Sequence, residues 1–467
     1  MSRQKLSTSE KALQINLDNT YYGTFAEIGA GQEVARWFFR VGGAAGTVAK
    51  TMSAYDMKFS DEIYGACDRY VSRKRLYKML DHEFELVIQR LSEQRGADSQ
   101  FFAFADTVSA RNFSGTNECH GWLGIRFQKQ PLQEPNDVII HVRMLDDTNL
   151  EQQEALGIIG VNLVHSAFFL SDDPETFVVS LMDNLSRPRI QVDMVKFQGP
   201  AFGHIDGRVL ALYLVKHGLT EATMFAPNGE ILQPSEMLYK KPILVERGKF
   251  RPVTKVNIEM LEAARFQFFQ EDGKTDDHEL IEIMEITMNN LLSSGEVDLQ
   301  DFIARVEILA ALGKSVVISN YAEFHRLGTY LAKASKKKIG IVLGVPLLRE
   351  IFKEKYYSDL EGGILESFGR LFKNELRLYV YPALTKNGHI ITAHNLDVEE
   401  HLQHLYRYLI ENRYIEAIRS ENPVQADFSS RNVIDRIEKG DPSWKQLVSP
   451  RVAKIIKDRG FFKKKKN

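Results

Sequence analysis

The sequence predicts an α/β protein of two regions: an N-terminal α/β domain over residues 1–235, and a C-terminal doubly wound parallel sheet over residues 242–462 followed by a basic tail at 463–467. Three observations predict this. Short apolar runs of buried-strand character alternate with segments of helical periodicity through most of the chain, the pattern of strands joined by helical crossovers. The stretch "APNGEILQPSEMLYKKP" (Ala226 to Pro242) gathers turn-forming residues and separates the two series. A length of 467 residues is too great for one ordinary domain and suits about two to three.

In the N-terminal region the first ~20 residues read as polar and loosely attached. Two glycine clusters follow, "AEIGAGQEVARWFF" (Ala26 to Phe39) and "RVGGAAGTVAK" (Arg40 to Lys50), separated by a short helical pattern. Residues Asp61 to Gln94 carry helical periodicity with alternating charge. From Gln100 the texture turns to β: "FFAFADTVSA", "GWLGIRFQ", "DVIIHVRML" and "RIQVDMVKF" read as strands, with a helix over "LEQQEALGIIGVNLVHSAFF" between two of them. "RVLALYLVKHGL" is a further helix, ending at Gly218 as a C-cap.

Beyond Pro242 the run Ile243, Leu244 and Val245 suits a buried parallel strand that breaks at Gly248. A loop with Pro252 follows, and from there Val256, Ile258, Met260, Leu261, Ala264 and Phe268 fall near helical spacing. "LIEIMEITMNNLLSSG" and "DLQDFIARVEILAALG" read as helices, "SVVISN" as a strand, "EFHRLGTYLAKAS" as a helix, and "KIGIVLGV" and "LRLYVYPAL" as strands. "VEEHLQHLYRYLIENRYIEAI" and "SWKQLVSPRVAKIIKDRGFF" close the chain.

With 44% hydrophobic and 26% charged residues and a formal net charge of −2, the chain has no global attraction for nucleic acid or a membrane surface. Its two cysteines, Cys67 and Cys119, cannot make a disulfide framework, which points to a reduced compartment. The start "MSRQKLSTSEKALQINLDN" lacks the apolar core of a signal peptide, and no apolar run is long enough to span a membrane. The expectation is a cytoplasmic protein without membrane insertion, with "FFKKKKN" a solvated tail.

The order strand, loop, helix around Gly248 to Asn257 puts the free N–H groups and positive dipole end of a helix above a strand, a geometry that favours phosphate. The segment "GKFRPVTKVNIEMLEAAR" resembles the N-terminal signature of nicotinate and nicotinamide mononucleotide adenylyltransferases. There a glycine, an aromatic, a proline, a Thr or His and then a His three residues later lie between first strand and first helix. Those positions are Gly248, Phe250, Pro252, Thr254 and Asn257. "FSSRNVIDRIEKGDPSWKQLVSPRVAKIIKDRGFF" is similar to the closing segment of that family: Ser429 and Ser430 match its serine pair, and Arg431 and Arg436 flank the position of its arginine.

The resemblance covers roughly the C-terminal half and implies a Rossmann-like sheet of nucleotidyltransferase type. It also implies a transferase of NAD biosynthesis that moves AMP from ATP, with Mg²⁺, to nicotinate or nicotinamide mononucleotide. Thr254, Asn257 and Arg431 would then be catalytic, and Gly248, Lys249, Phe250, Ser429 and Ser430 would hold the nucleotide. No side chain is assigned as a metal ligand, the partner is a small-molecule nucleotide, and a homo-oligomer is left open. Asn257 stands where the family has histidine and carries no charge at any pH. The alternative is therefore a catalytically degenerate nucleotide-binding or partner-binding protein.

Other stretches read more plainly. Gly29 and Gly31 suit a packing turn, with a cofactor turn the lesser alternative. Arg111, Asn112, Asn117, Glu118, Cys119 and His120 crowd a loop between strands, read first as a polar loop and second as a substrate contact. Zinc fails there because Cys119 and His120 are adjacent and no second pair has ligand spacing, and a Cys/His nucleophilic pair is disfavoured because neighbours on a strand face opposite ways. Lys336 to Lys338 read as a solvated turn. Gly362 and Gly363, with Glu366 and Arg370 beyond, read as a helix cap.

Overall fold

Ser7 and Glu10 close a reciprocal capping box, the Ser7 hydroxyl accepting from the Glu10 amide and the Glu10 carboxylate from the Ser7 amide. A helix therefore begins here, α1 (Thr8–Asn16), where a loose terminus was expected. The computed structural model describes residues 3–272, 279–292, 295–373, 375–385, 387–420 and 430–463. It divides into two units, Met1–Thr220 and Glu221–Asn467.

In the first unit α1 is followed by β1 (Tyr21–Gly29), α2 (Val34–Arg40), β2 (Val48–Ala54), α3 (Met57–Tyr64) and α4 (Arg73–Arg95). Then come β3 (Gln100–Ser109), β4 (His120–Phe127), β5 (Asn136–Met144), α5 (Asn149–Phe169), α6 (Pro174–Ser180), β6 (Ile190–Gln198) and α7 (Gly207–Lys216). The strands form one sheet in the order β2-β1-β3-β4-β5-β6, with β1 parallel to both neighbours and every pair from β3 onward antiparallel. Helix α4 packs on β3 and β4, while α5 meets α1 and α2. Phe25, Phe38, Phe102 and Phe104 stack in the core between them.

The glycine turn after β1 thus follows a full strand. Gly29 takes φ +82°, and a Cβ on Gly31 would lie 2.4 Å from Asp106 Oδ1, so both glycines answer to close packing.

The second unit contains β7 (Ala222–Phe225), β8 (Ile231–Leu232), α8 (Pro234–Met237), β9 (Ile243–Arg247), α9 (Lys255–Asp272), β10 (Ile281–Thr287) and α10 (Met288–Leu291). It continues with α11 (Leu299–Ala311), β11 (Ser315–Ser319), α12 (Phe324–Ala334), β12 (Ile339–Gly344), α13 (Val345–Ile351) and α14 (Gly363–Leu371). The last elements are β13 (Leu376–Tyr381), β14 (Ala383–Leu384), β15 (Ile390–Ile391), α15 (Gln403–Glu411), β16 (Ile415–Ala417), α16 (Ser430–Glu438) and α17 (Pro450–Arg459).

Eight strands run β16-β13-β12-β9-β10-β11-β7-β8, parallel from β16 to β11 and antiparallel at β7 and β8. The chain leaves the central β9 toward β11 on one side and later fills the other side from β12 to β16, so the loop after β9 stands where the order of strands reverses.

Three expectations need correction or refinement here. Ile281–Thr287 is a strand at the centre of this sheet, where a helix was expected. Its Glu285 is fully buried yet paired, bonded by Arg247 at 2.7 Å and by the Ser319 hydroxyl at 2.5 Å, partners that offset the cost of burying a carboxyl in a core strand. Lys338 departs from the solvated turn: it is buried, with its ammonium 4.4 Å from the Phe268 ring centroid. Gly362 does stand at the N-cap of α14, with Glu366 paired to Arg370 one turn on. Among the described residues no helix is long and apolar enough to cross a membrane.

Candidate acid–base site

The loop after β9 is tied inward. The Thr254 amide and hydroxyl both donate to Asn257 Oδ1, at 2.9 and 2.8 Å, and Asn257 Nδ2 donates to Glu246 Oε1 at 2.6 Å. Asn257 thereby fastens the first turn of α9 onto the end of β9. Burial pushes the Glu246 carboxyl up to about 8, against the pull of the Asn257 hydrogen bond, so at neutral pH it is held largely neutral. Among the described residues nothing bonds its Oε2.

The remaining residues of the sequence motif are spent on the same clasp. The Gly248 amide donates to the Glu285 carbonyl at 3.1 Å, and the Lys249 carbonyl accepts from Arg305 at 3.1 Å while its side chain is exposed. Phe250 is buried at a left-handed φ of +44°. Ser430 Oγ donates to the Pro252 carbonyl at 2.9 Å, so the second motif does meet the first across 178 residues of sequence. Arg431 follows it, exposed on α16, and Ser429 lies outside the described residues.

The first unit gathers chemistry of a different kind. Antiparallel pairing of β4 and β5 puts His120 opposite Arg143 and Trp122 opposite His141, so His120 and His141 share a face of the sheet. His120 Nδ1 and His141 Nε2 are 3.0 Å apart, and His141 Nδ1 is 2.6 Å from Asp193 Oδ1. A β-bulge makes the last contact feasible. Register slips between His141 and Val142, so that Asp193 is the residue the ladder skips; in a regular ladder it would stand opposite Val142 and face away from His141.

The hydrogen-bond directions follow from the carboxylate, which can only accept. His141 Nδ1–H donates to Asp193, His141 Nε2 therefore accepts, and His120 Nδ1–H donates to it. That leaves the lone pair of His120 on Nε2. His141 is buried, packed 4.7 Å from the Trp122 ring centroid, and His120 is half-buried. Burial, reinforced by the neighbouring His141, pushes His120 down to about 4, so its imidazole is neutral and basic-form throughout the physiological range.

The polar loop before β4 is shaped by its own asparagines. Asn112 Oδ1 accepts from the Thr116 amide at 3.1 Å, the Asn112 amide donates to Asn117 Oδ1 at 2.8 Å, and Asn117 Nδ2 donates to the Ala110 carbonyl at 2.8 Å. Glu118 pairs with Arg143 at 3.1 Å. Of this site the sequence exposed only His120 and its loop. His141 and Asp193 were missed, although each interrupts the apolar middle of a strand, "DVIIHVRML" and "RIQVDMVKF".

A second buried group lies on the other face of the same sheet. Glu27 and Asp106 are register partners on β1 and β3. Glu27 accepts from the amides of Val34 and Ala35 at 2.7 and 3.2 Å. Burial raises Glu27 to about 7, and burial, reinforced by the neighbouring Glu27, raises Asp106 well above its ordinary value.

No protein-family profile matches the chain, and no curated protein matches it. Among solved structures, part of it is similar to the competence/damage-inducible protein CihA from Agrobacterium tumefaciens, at 17% identity over 35% of this chain and 97% of that one, with a TM-score of 0.25. It is also similar to a competence-damaged protein (CinA) superfamily member from Klebsiella pneumoniae, at 16% identity over 35% and 95% of the two chains and a TM-score of 0.26. A third is the competence- or damage-inducible protein from Enterobacter asburiae, at 12% identity over 34% and 95% and a TM-score of 0.23. These are not mononucleotide adenylyltransferases. The finding corrects the adenylyltransferase resemblance, and with it AMP transfer and a place in NAD biosynthesis. The geometry agrees, since both ends of the Asn257 amide are committed to Thr254 and Glu246.

Proposed function

We propose that the first unit carries an acid–base site of hydrolytic type in which His120 removes a proton from a bound water. The row Asp193–His141–His120 is the observation that supports it. As His120 Nε2 takes the proton, the positive charge that develops is met by His141 Nε2 at 3.0 Å, and Asp193 at 2.6 Å stabilises His141 in the accepting tautomer. A base held at about 4 is fully available at neutral pH, and a negatively charged substrate would raise it toward the working pH. Arg143 opposite His120 and Arg111 on the adjoining loop, held at rest by Glu118 and Asp147, would favour such a substrate by exchanging those carboxylates for it.

The test reads the imidazole directly. Carbethoxylation by diethyl pyrocarbonate, followed residue by residue with mass spectrometry, should persist at His120 down to about pH 5, whereas an ordinary histidine slows below about 6.5. Asp193→Asn should alter the His120 rate. In parallel, a panel of carboxylic ester, amide and phosphate ester substrates is assayed with the parent and His120→Asn. Ordinary titration of His120, together with turnover that survives His120→Asn, would remove the proposal.

A further inference from the structure

Two carboxyl groups stand side by side beneath the glycine turn after β1. Glu27 and Asp106 are register partners on parallel strands, so both leave the same face of the sheet, and they are 5% and 0% exposed. Their surroundings differ. Glu27 accepts from the Val34 and Ala35 amides, free donors of the first turn of α2, at 2.7 and 3.2 Å. Neither oxygen of Asp106 has a hydrogen-bond partner among the described residues; the Ile28 amide pulls on the carboxyl without bonding it.

The elements around the pair bring no cation to it. From α2, Glu33 adds a further negative charge, and it is paired outward with Arg36 at 3.2 Å. On α5, Glu151 turns to Thr148 and Glu154 to Arg189, while on α1 Lys11 is taken up by Asp183 and Asn162. The β4 residue opposite Asp106 is Leu123. A carboxylate buried with neither donor nor counter-charge is too costly to persist, whereas the neutral acid is far cheaper to bury. Glu27, with two amides on it, is thus suited to carry the charge, and Asp106 to keep the proton.

The cover over Asp106 is one turn thick. A Cβ on Gly31 would lie 2.4 Å from its Oδ1 and 2.8 Å from its Oδ2. The turn is closed by its own bonds, the Glu33 amide to the Gly31 carbonyl at 2.7 Å and the Gln32 side chain to the Gly29 carbonyl at 3.2 Å, and Gln32 itself is exposed. Lifting Gly31 therefore lets water reach Asp106, and it displaces the first turn of α2, which begins three residues later.

We infer that Asp106 and Glu27 form a proton-held latch: with one proton between them the glycine turn and the first turn of α2 stay closed over the sheet, and loss of that proton opens both. The direction follows from linkage. Burial raises both groups, Glu27 to about 7, so the closed form binds the proton more tightly than a hydrated form does. Closure is therefore favoured in acid and lost as pH rises through the titration of the pair.

The experiment uses the full chain and amide exchange read by mass spectrometry, with protection of residues 29–38 expressed relative to the intrinsic rate at each pH. In the parent this protection should fall about tenfold between about pH 6 and about pH 9, and throughout it should lie below that of β4 and β5, the mark of a local opening. Asp106→Asn removes the second charge at nearly unchanged shape and should hold protection level over the same range. Asp106→Ala removes it without adding an amide and should do the same, so either variant that folds serves. Level protection in the parent overturns the inference. So does a fall of the parent's size in a folded Asp106 variant, or a segment that exchanges only together with β4 and β5.

Discussion

Replacing Glu246 by glutamine should make the second unit more stable at alkaline pH and leave it about level, or slightly worse, in acid. Glu246 is 1% exposed, its Oε1 accepts from Asn257, and no described residue bonds its Oε2. Its carboxyl titrates at about 8 in the fold against 4.5 as an unperturbed group. Because the folded value is the raised one, the fold holds a proton that the unfolded chain has released between those limits. The stabilisation it contributes is complete below 4.5 and declines as pH rises, until it is gone above 8. At about 1.4 kcal/mol per pH unit, the loss over that interval is at most about 5 kcal/mol.

Glutamine keeps the oxygen that Asn257 needs and never ionises, but it sets an amide nitrogen where Oε2 had no partner, at a cost of about 1–3 kcal/mol. The variant should therefore lie within about 2 kcal/mol of the parent at pH 5 and about 3 kcal/mol above it at pH 8.5. The assay is urea unfolding across that pH range, read from Trp444 in a background with Trp37 and Trp122 replaced by Phe, since Trp444 is the tryptophan of the second unit. A stability difference that stays flat from pH 5 to 8.5 would refute the reasoning, for it would mean that Glu246 is already ionised and solvated in the folded protein.

Two further outcomes follow from buried polar contacts. Asn257→Ala removes the acceptor of the Thr254 amide and hydroxyl and the donor to Glu246, and should lower stability by about 2–4 kcal/mol in the same unfolding assay. Lys11→Met leaves Asp183 and Asn162 without the buried ammonium that bonds them at 2.7 and 2.8 Å, although Arg3 still reaches Asp183; a loss of about 2–4 kcal/mol is expected, measured by thermal or urea unfolding.

Much of the fold is legible where local pattern and burial agree. The β3 to β6 segments, α4, α5, and the alternation of β9, α9, β11, α12 and β12 stand close to where the apolar periods place them. The pattern fails where a polar residue enters the core with its partner far away in sequence. In β10, Glu282 and Glu285 at helical spacing, among Leu, Met and Ile, imitate a helix; what makes Glu285 acceptable in a strand is Arg247 and Ser319, which no local window contains. The loose-terminus reading overlooked the Ser7 and Glu10 box, a signal that was present in "STSE".

The candidate site shows the same division. The polar loop and His120 are visible as a dense local cluster, whereas His141 and Asp193 join them only through strand pairing and a bulge, neither of which a linear reading supplies. Conversely, the Gly248 to Asn257 stretch has the local look of a phosphate loop, and its side chains turn inward because buried Glu246 claims Asn257.

The ammonium of Lys11 acquires a further meaning when the chain is considered as it is being made. Both of its buried partners are distant, Asn162 by 151 residues and Asp183 by 172, and α1 packs against α5, which ends at Phe169. A ribosome adding roughly 5–20 residues per second needs on the order of 10–30 s to travel from Lys11 to Asp183. Throughout that time the first helix lacks the face of α5 and the buried partners of Lys11, and only α2 and the turn after it, whose Phe38 and Gly42 carbonyls accept from Asn16, are there to hold it. The ammonium of Lys11 is thus secured only once Asp183 has been made, with β6 and α7 of the first unit still to follow.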